Sequence, residues 1–102
     1  MDPKSEIDWL AAIAASQDET AFSSLFARYA PRIKGYMMRQ GVDATTAEEL
    51  AQEAMTTVWR KAGMYSSDKG NPSTWIFTIS RNLRIDRFLR ESVFQTLPEG
   101  HN

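Results

Sequence analysis

Aromatic rings, guanidinium groups and a carboxamide are interleaved along Thr74-Trp75-Ile76-Phe77-Thr78-Ile79-Ser80-Arg81-Asn82-Leu83-Arg84-Ile85-Asp86. A polar turn, Ser66-Ser67-Asp68-Lys69-Gly70-Asn71-Pro72, leads straight into this stretch. Ring faces stack on bases, arginines hold phosphates and an amide pairs with a base edge. The combination points to an unpaired or opening nucleic-acid strand rather than to chemistry on a small molecule. At about 100° per helical residue, Trp75, Ile76, Ile79 and Leu83 share one face, which is assigned to the core. Phe77, Arg81, Arg84 and Phe88 fall together on the roughly opposite side, with Thr78, Asn82 and Ile85 on a flank; this reads either as an exposed Phe-Arg stripe or as Phe77, Ile85 and Phe88 packing on neighbouring helices.

The elements that position these groups read as helices throughout. Ser5 is a capping residue for a short first helix to about Ser16, with Ile7, Leu10, Ala11 and Ala14 on its apolar side. Asp18 caps a second, whose apolar set Phe22, Leu25, Phe26, Tyr29, Ile33, Tyr36 and Met37 keeps helical spacing past Pro31. Proline removes a backbone bond, so a kink or brief break is expected at Ala30, and Gly41 ends the element. Thr45-Thr46-Ala47-Glu48 reads as a capping box for a third helix with the core stripe Ala47, Leu50, Ala51, Ala54, Met55, Val58 and Ala62, stopped by Gly63. Asn71 as cap and Pro72 at the first helical position open the fourth, which is expected to run to about Arg90. Nothing alternates with period two. The expected fold is therefore all-α: a compact bundle of three main helices plus a short N-terminal one.

Charge is segregated although the net value is only −1. Arg28, Arg32, Lys34 and Arg39 occur without an acid between residues 28 and 41, and Arg28, Arg32 and Arg39 share a side of the second helix as phosphate-holding candidates. Residues 42–59 hold Asp43, Glu48, Glu49 and Glu53 and no base. Glu49, Gln52, Glu53 and Thr56 lie opposite the third helix's core stripe with Trp59 at the edge, a face suited to docking on a basic protein helix. A plain solvated face explains the same pattern. Two surfaces of opposite sign imply two partners.

Several function classes are disfavoured. With 42% hydrophobic and 25% charged residues the chain reads as one globular domain. It has no cysteine, which removes disulfides and thiolate metal sites and fits a reducing compartment such as the cytoplasm. The longest apolar run, Trp9 to Ala15, is too short to cross a bilayer, so no membrane insertion is expected. His101, the single histidine, lies in the tail, and no metal-binding, phosphate-loop or EF-hand spacing appears, so an enzyme is the least favoured class and no cofactor or metal is expected.

Three blocks together resemble the region 2 domain of an extracytoplasmic-function (ECF) sigma factor of bacterial RNA polymerase. They are Ala21-Phe22 through Arg32-Ile33, Glu48-Glu49-Leu50-Ala51-Gln52-Glu53 through Val58-Trp59-Arg60, and Thr74-Trp75-Ile76 through Ile85-Asp86, within residues 19–91. The resemblance implies a region 2 domain over residues 1–92. Residues 93–102 then read as a linker or tail towards a helix-turn-helix domain for the −35 element. It further implies docking on the clamp helices of the largest polymerase subunit through Glu49, Gln52 and Glu53, with Trp59 in support. Recognition and opening of the −10 promoter element would fall to the loop Tyr65, Ser66, Ser67, Asp68, Lys69, Gly70 and Asn71 and to Thr78, Arg81, Asn82 and Ile85 on the helix. One base of the non-template strand would enter a pocket formed largely by the loop. Asp86 reads rather as a structural partner of a nearby arginine, and an anti-sigma factor is an implied further partner. Two other readings stand beside this one: a sigma-like decoy that binds an anti-sigma factor without DNA, and a duplex-binding regulator.

Overall fold

Capping chemistry divides the chain into four α-helices in the computed structural model, which describes residues 3–96. They are α1 (Pro3–Ser16), α2 (Glu19–Arg39), α3 (Ala44–Lys61) and α4 (Pro72–Thr96), with two single 3₁₀ turns, Ala62–Met64 and Ser67–Lys69, between α3 and α4. No strand occurs among the described residues. The Asp18 carboxylate accepts from the Ala21 N–H at 2.9 Å, as its cap role requires. Gln17 carries the chain out of α1 at φ 53°, a left-handed turn that is uncommon for a residue with a β-carbon. Asn71 Oδ1 accepts from the Thr74 N–H at 2.9 Å, and Pro72 is buried at the first helical position.

The core is a stripe-on-stripe contact between α2 and α3. Leu25, Tyr29, Ile33 and Met37, each four residues from the last, are almost fully buried on α2. They meet Ala47, Leu50, Ala51, Ala54, Met55 and Val58 on α3. The alanines leave little side chain between the helices, so α2 and α3 pack as the most extensive helix pair. Ile76 and Trp75 of α4 close the core from one side, and Leu10 and Ile13 of α1 close it from another.

Several expected details are corrected. Helix α1 starts at Pro3, not after Ser5; Leu10 is buried as expected, but Ile7, Ala11 and Ala14 are exposed, and Ile13 and Glu6 are buried in their place. The face is rotated because Glu6 reaches Arg28 Nη1 at 2.9 Å and accepts from the Tyr29 hydroxyl at 2.7 Å, two bonds that satisfy a buried carboxylate. Trp9 turns with it and lies under the Arg28 guanidinium, 4.7 Å from ring centroid to Cζ. Helix α2 runs unbroken through Ala30 and Pro31. Proline leaves the Ala27 carbonyl without its helical donor, and Ala27 and Pro31 both lie on the exposed side of the helix. The cap of α3 is Asp43, which accepts from the Thr46 N–H at 3.1 Å, so the Thr45 capping box is displaced by two residues. That bond holds the Asp43 carboxyl below its usual range. Helix α4 passes Arg90 and continues to Thr96, because no glycine or proline intervenes before Pro98. The 93–96 stretch read as linker is therefore helical, and the tail beyond it lies outside the described residues.

Candidate nucleic-acid interface

The loop between α3 and α4 is built around a tilted aromatic pair and a glycine. Tyr65 is half-buried with its ring 5.4 Å from that of Trp75, and its hydroxyl donates to the Gly70 carbonyl at 2.8 Å. Gly70 sits at φ 91°, and a β-carbon there would stand 3.0 Å from Thr74 Cγ2. Only glycine takes this conformation at this distance without strain. The Ser66 hydroxyl binds the Asp68 carboxylate and holds its pKa down. Tyr65, Gly70 and Asn71 thus serve the loop's own geometry. Ser66, Ser67, Asp68 and Lys69 are exposed.

Loop and helix enclose a pocket of about 330 Å³. Trp75, Ile79 and Met64 supply apolar surface, Thr78 and Asn82 supply polar groups, and Lys61 and Lys69 carry the charge. The Thr78 hydroxyl donates to the Thr74 carbonyl at 2.8 Å and keeps its acceptor capacity. The Asn82 side chain is exposed and makes no hydrogen bond with any described residue, so both ends of its amide are free to read an edge. Of the residues expected from sequence, Lys69, Thr78 and Asn82 converge here. Arg81 and Ile85 are exposed on α4 close by in sequence, outside the pocket lining. Lys61, Met64, Trp75 and Ile79 were not expected as lining. Trp75 and Ile79 read as core, and Lys61 comes into place because the end of α3 packs beside α4.

The expected Phe-Arg stripe is not one surface. Phe77 is half-buried between Tyr29 and Tyr36, with ring centroids 6.1 and 5.7 Å away. Arg84 turns to Tyr36, its Nε 3.4 Å from the hydroxyl oxygen. Arg81 and Phe88 stay exposed. On α2, Arg28 is excluded as a phosphate ligand because its side chain is only 10% exposed and paired with Glu6. Arg32 and Arg39 remain outward. Asp86 pairs with Arg90 at 3.5 Å, which agrees with the structural role expected for it.

A second surface lies on α3. Glu49, Gln52, Glu53 and Thr56 are all exposed. Glu49 stands 3.9 Å from Arg87, a loose pair on a solvated surface, while the neighbouring Glu48 is engaged by Lys34 at 3.0 Å. Trp59 is half-buried, edge-on to Phe22 at 5.0 Å, and borders a hollow with Glu19, Ser23 and Thr56. On the α2 side, an apolar groove of about 400 Å³ runs past Phe26, Ala30, Pro31, Ala51 and Gln52. Among the described residues, no helix is long and apolar enough to cross a membrane.

Residues 25–93 match the family described as Sigma-70 region 2. The ECF RNA polymerase sigma factor RpoE of Cereibacter sphaeroides is 47% identical over 88 residues, which is 83% of this chain and 49% of that protein. The ECF RNA polymerase sigma factor SigK of a Mycobacterium species (strain KMS) is 33% identical over 86 residues, 84% of this chain and 45% of that one. Among solved structures, Rhodobacter sphaeroides SigE in complex with the anti-sigma ChrR superposes with a TM-score of 0.75 at 43% identity, covering 80% of this chain and 47% of SigE. The chain spans about half the length of these relatives. Helix α1 precedes the family match, which begins at Leu25 inside α2.

Proposed function

The chain belongs to the Sigma-70 region 2 family as a region 2 domain of the ECF sigma factors, and from that premise we propose that it opens promoters. In this reading the pocket beside Asn82 takes one everted base of the non-template strand at the −10 element, while the α3 ridge of Glu49, Gln52 and Glu53 docks on the clamp helices of core RNA polymerase, in the cytoplasm. Trp59, braced by Phe22, fixes the end of that ridge. An anti-sigma factor is a further proposed partner, in line with the ChrR partner named for SigE.

The observation that carries the reading is the unengaged Asn82 amide over an apolar floor beside an outward-facing, glycine-shaped loop. Stacking on such a floor is worth about 1–3 kcal/mol per base. Unstacking a base costs a few kcal/mol, so amide and phosphate contacts have to supply the rest. A decoy that binds only an anti-sigma factor has no use for an open base site. The test is fluorescence anisotropy with labelled single strands enriched on the protein from a random pool, against their duplexes and scrambled versions. Selective binding of the enriched single strand is expected. Equal binding of the scrambled strand would leave the decoy as the better description.

A further inference from the structure

The pocket has a charged mouth that the expected site residues do not account for. Lys61 leaves α3 in its last turn and Lys69 comes from the second 3₁₀ turn, and both line the same cavity. Both are exposed, and neither forms an ion pair with any described residue. Lys34, Arg87 and Arg90 each face a carboxylate, whereas Arg32, Arg39, Arg60 and Arg81 are exposed with no ion pair to a described residue; Lys61 and Lys69 differ from these in lining a cavity together. Asp68, next to Lys69 in sequence, is bound by the Ser66 hydroxyl. Lys61 also stands beside Met64, a long, adaptable side chain that is 61% exposed at the lip.

We propose that Lys61 is a strand-binding residue that holds a backbone phosphate next to the everted nucleotide, forming with Lys69 a two-point clamp across the pocket mouth while Met64 covers the inserted base. The ligand class is a single-stranded phosphodiester, and the contact is blind to sequence. The role rests on the strand-binding reading of this pocket, and it adds an element, the end of α3, to an interface otherwise confined to the loop and α4. A lysine in the last turn of a helix also favours the carbonyl end of the helix dipole, so stability alone does not report the role.

A readout that separates charge contact from folding is the salt dependence of binding. For single strands, the slope of log K against log salt is about −0.7 for each phosphate neutralised. Anisotropy of the enriched single strand over a salt series should therefore give Lys61→Gln a slope smaller in magnitude by about 0.7, with the preference over the scrambled strand retained. Lys61→Arg should restore the slope. An unchanged slope in Lys61→Gln, or a loss of preference without a change in slope, would overturn the assignment while leaving strand binding itself intact. Failure of the unmutated chain to prefer the enriched strand would instead bring down the base-site reading, and the clamp with it. Thermal melting of both variants identifies any slope change that comes from misfolding.

Discussion

Asn82, unlike Thr78, Ser80 and Arg84, makes no hydrogen bond to any described residue. Thr78 is tied to the Thr74 carbonyl, Arg84 to Tyr36, and Ser80 is buried with its hydroxyl on the Ile76 carbonyl. A free amide on an exposed helix face adjoining an apolar cavity has the donor and acceptor needed to read one base edge. Replacing Asn82 by alanine should therefore reduce discrimination between enriched and scrambled single strands by about 1–3 kcal/mol. The salt slope should stay as it is, because no charge is removed. A competition titration with both strands measures this, and retained discrimination would take base reading away from Asn82.

At the scale of elements, one helix owes its placement to polar groups as well as to apolar ones. Helix α1 is held on α2 by Glu6, Arg28, Tyr29 and Trp9. Both charged side chains of the pair are near 10% exposed, so losing one partner strands the other in a poorly hydrated site. Arg28→Met should cost about 3–5 kcal/mol of unfolding free energy. Adding Glu6→Gln should recover part of it, since no buried charge then remains. Chemical denaturation of the single and double variants provides the comparison, and a double variant no more stable than Arg28→Met would refute the pairing account. Helix α3 has the opposite character: its core face is alanine-rich and complete, so its outer ridge is free to change. Gln52→Ala with Glu53→Ala should weaken capture by core polymerase, or by its isolated clamp helices, while leaving the thermal midpoint nearly unchanged. Undiminished capture would move polymerase docking to another surface.

For the whole molecule, the buried Tyr29 hydroxyl ties folding to alkaline pH. Burial, and then its hydrogen bond to the Glu6 carboxylate, push its pKa from 10.0 up to about 12. The unfolded chain ionises Tyr29 near 10 while the folded chain keeps it protonated, so the unfolded state binds fewer protons in between. This contribution to stability is fully present below pH 10 and is lost as pH rises to about 12. Tyr29→Phe should lack that part of the alkaline slope, although it is less stable at neutral pH for want of the bond to Glu6. Denaturant midpoints of both proteins at stepped pH give the difference, and parallel curves would show that Tyr29 does not titrate as described. The molecule is elongated, 52 × 25 × 24 Å, with the distal turns of α4 carrying exposed Phe88, Leu89 and Val93.

How much of this was legible without coordinates follows from the range of each force. Apolar spacing fixed the α3 stripe to the residue, and Asp18, Asn71 and Pro72 marked their helix starts, because capping and periodicity act within a few residues of chain. Periodicity also set Thr78 and Asn82 on one flank of α4, and both line the pocket; that they and the loop read DNA is what the family resemblance implies. The local reading mistook the face of α1 and left Arg28 on the surface, since a buried Glu6 becomes acceptable only when two donors arrive from 22 and 23 residues away. It also missed Lys61 and gave Trp75 and Ile79 to the core alone. A pocket wall is defined by which elements meet, and sequence distance carries no record of the turn that sets the end of α3 beside α4.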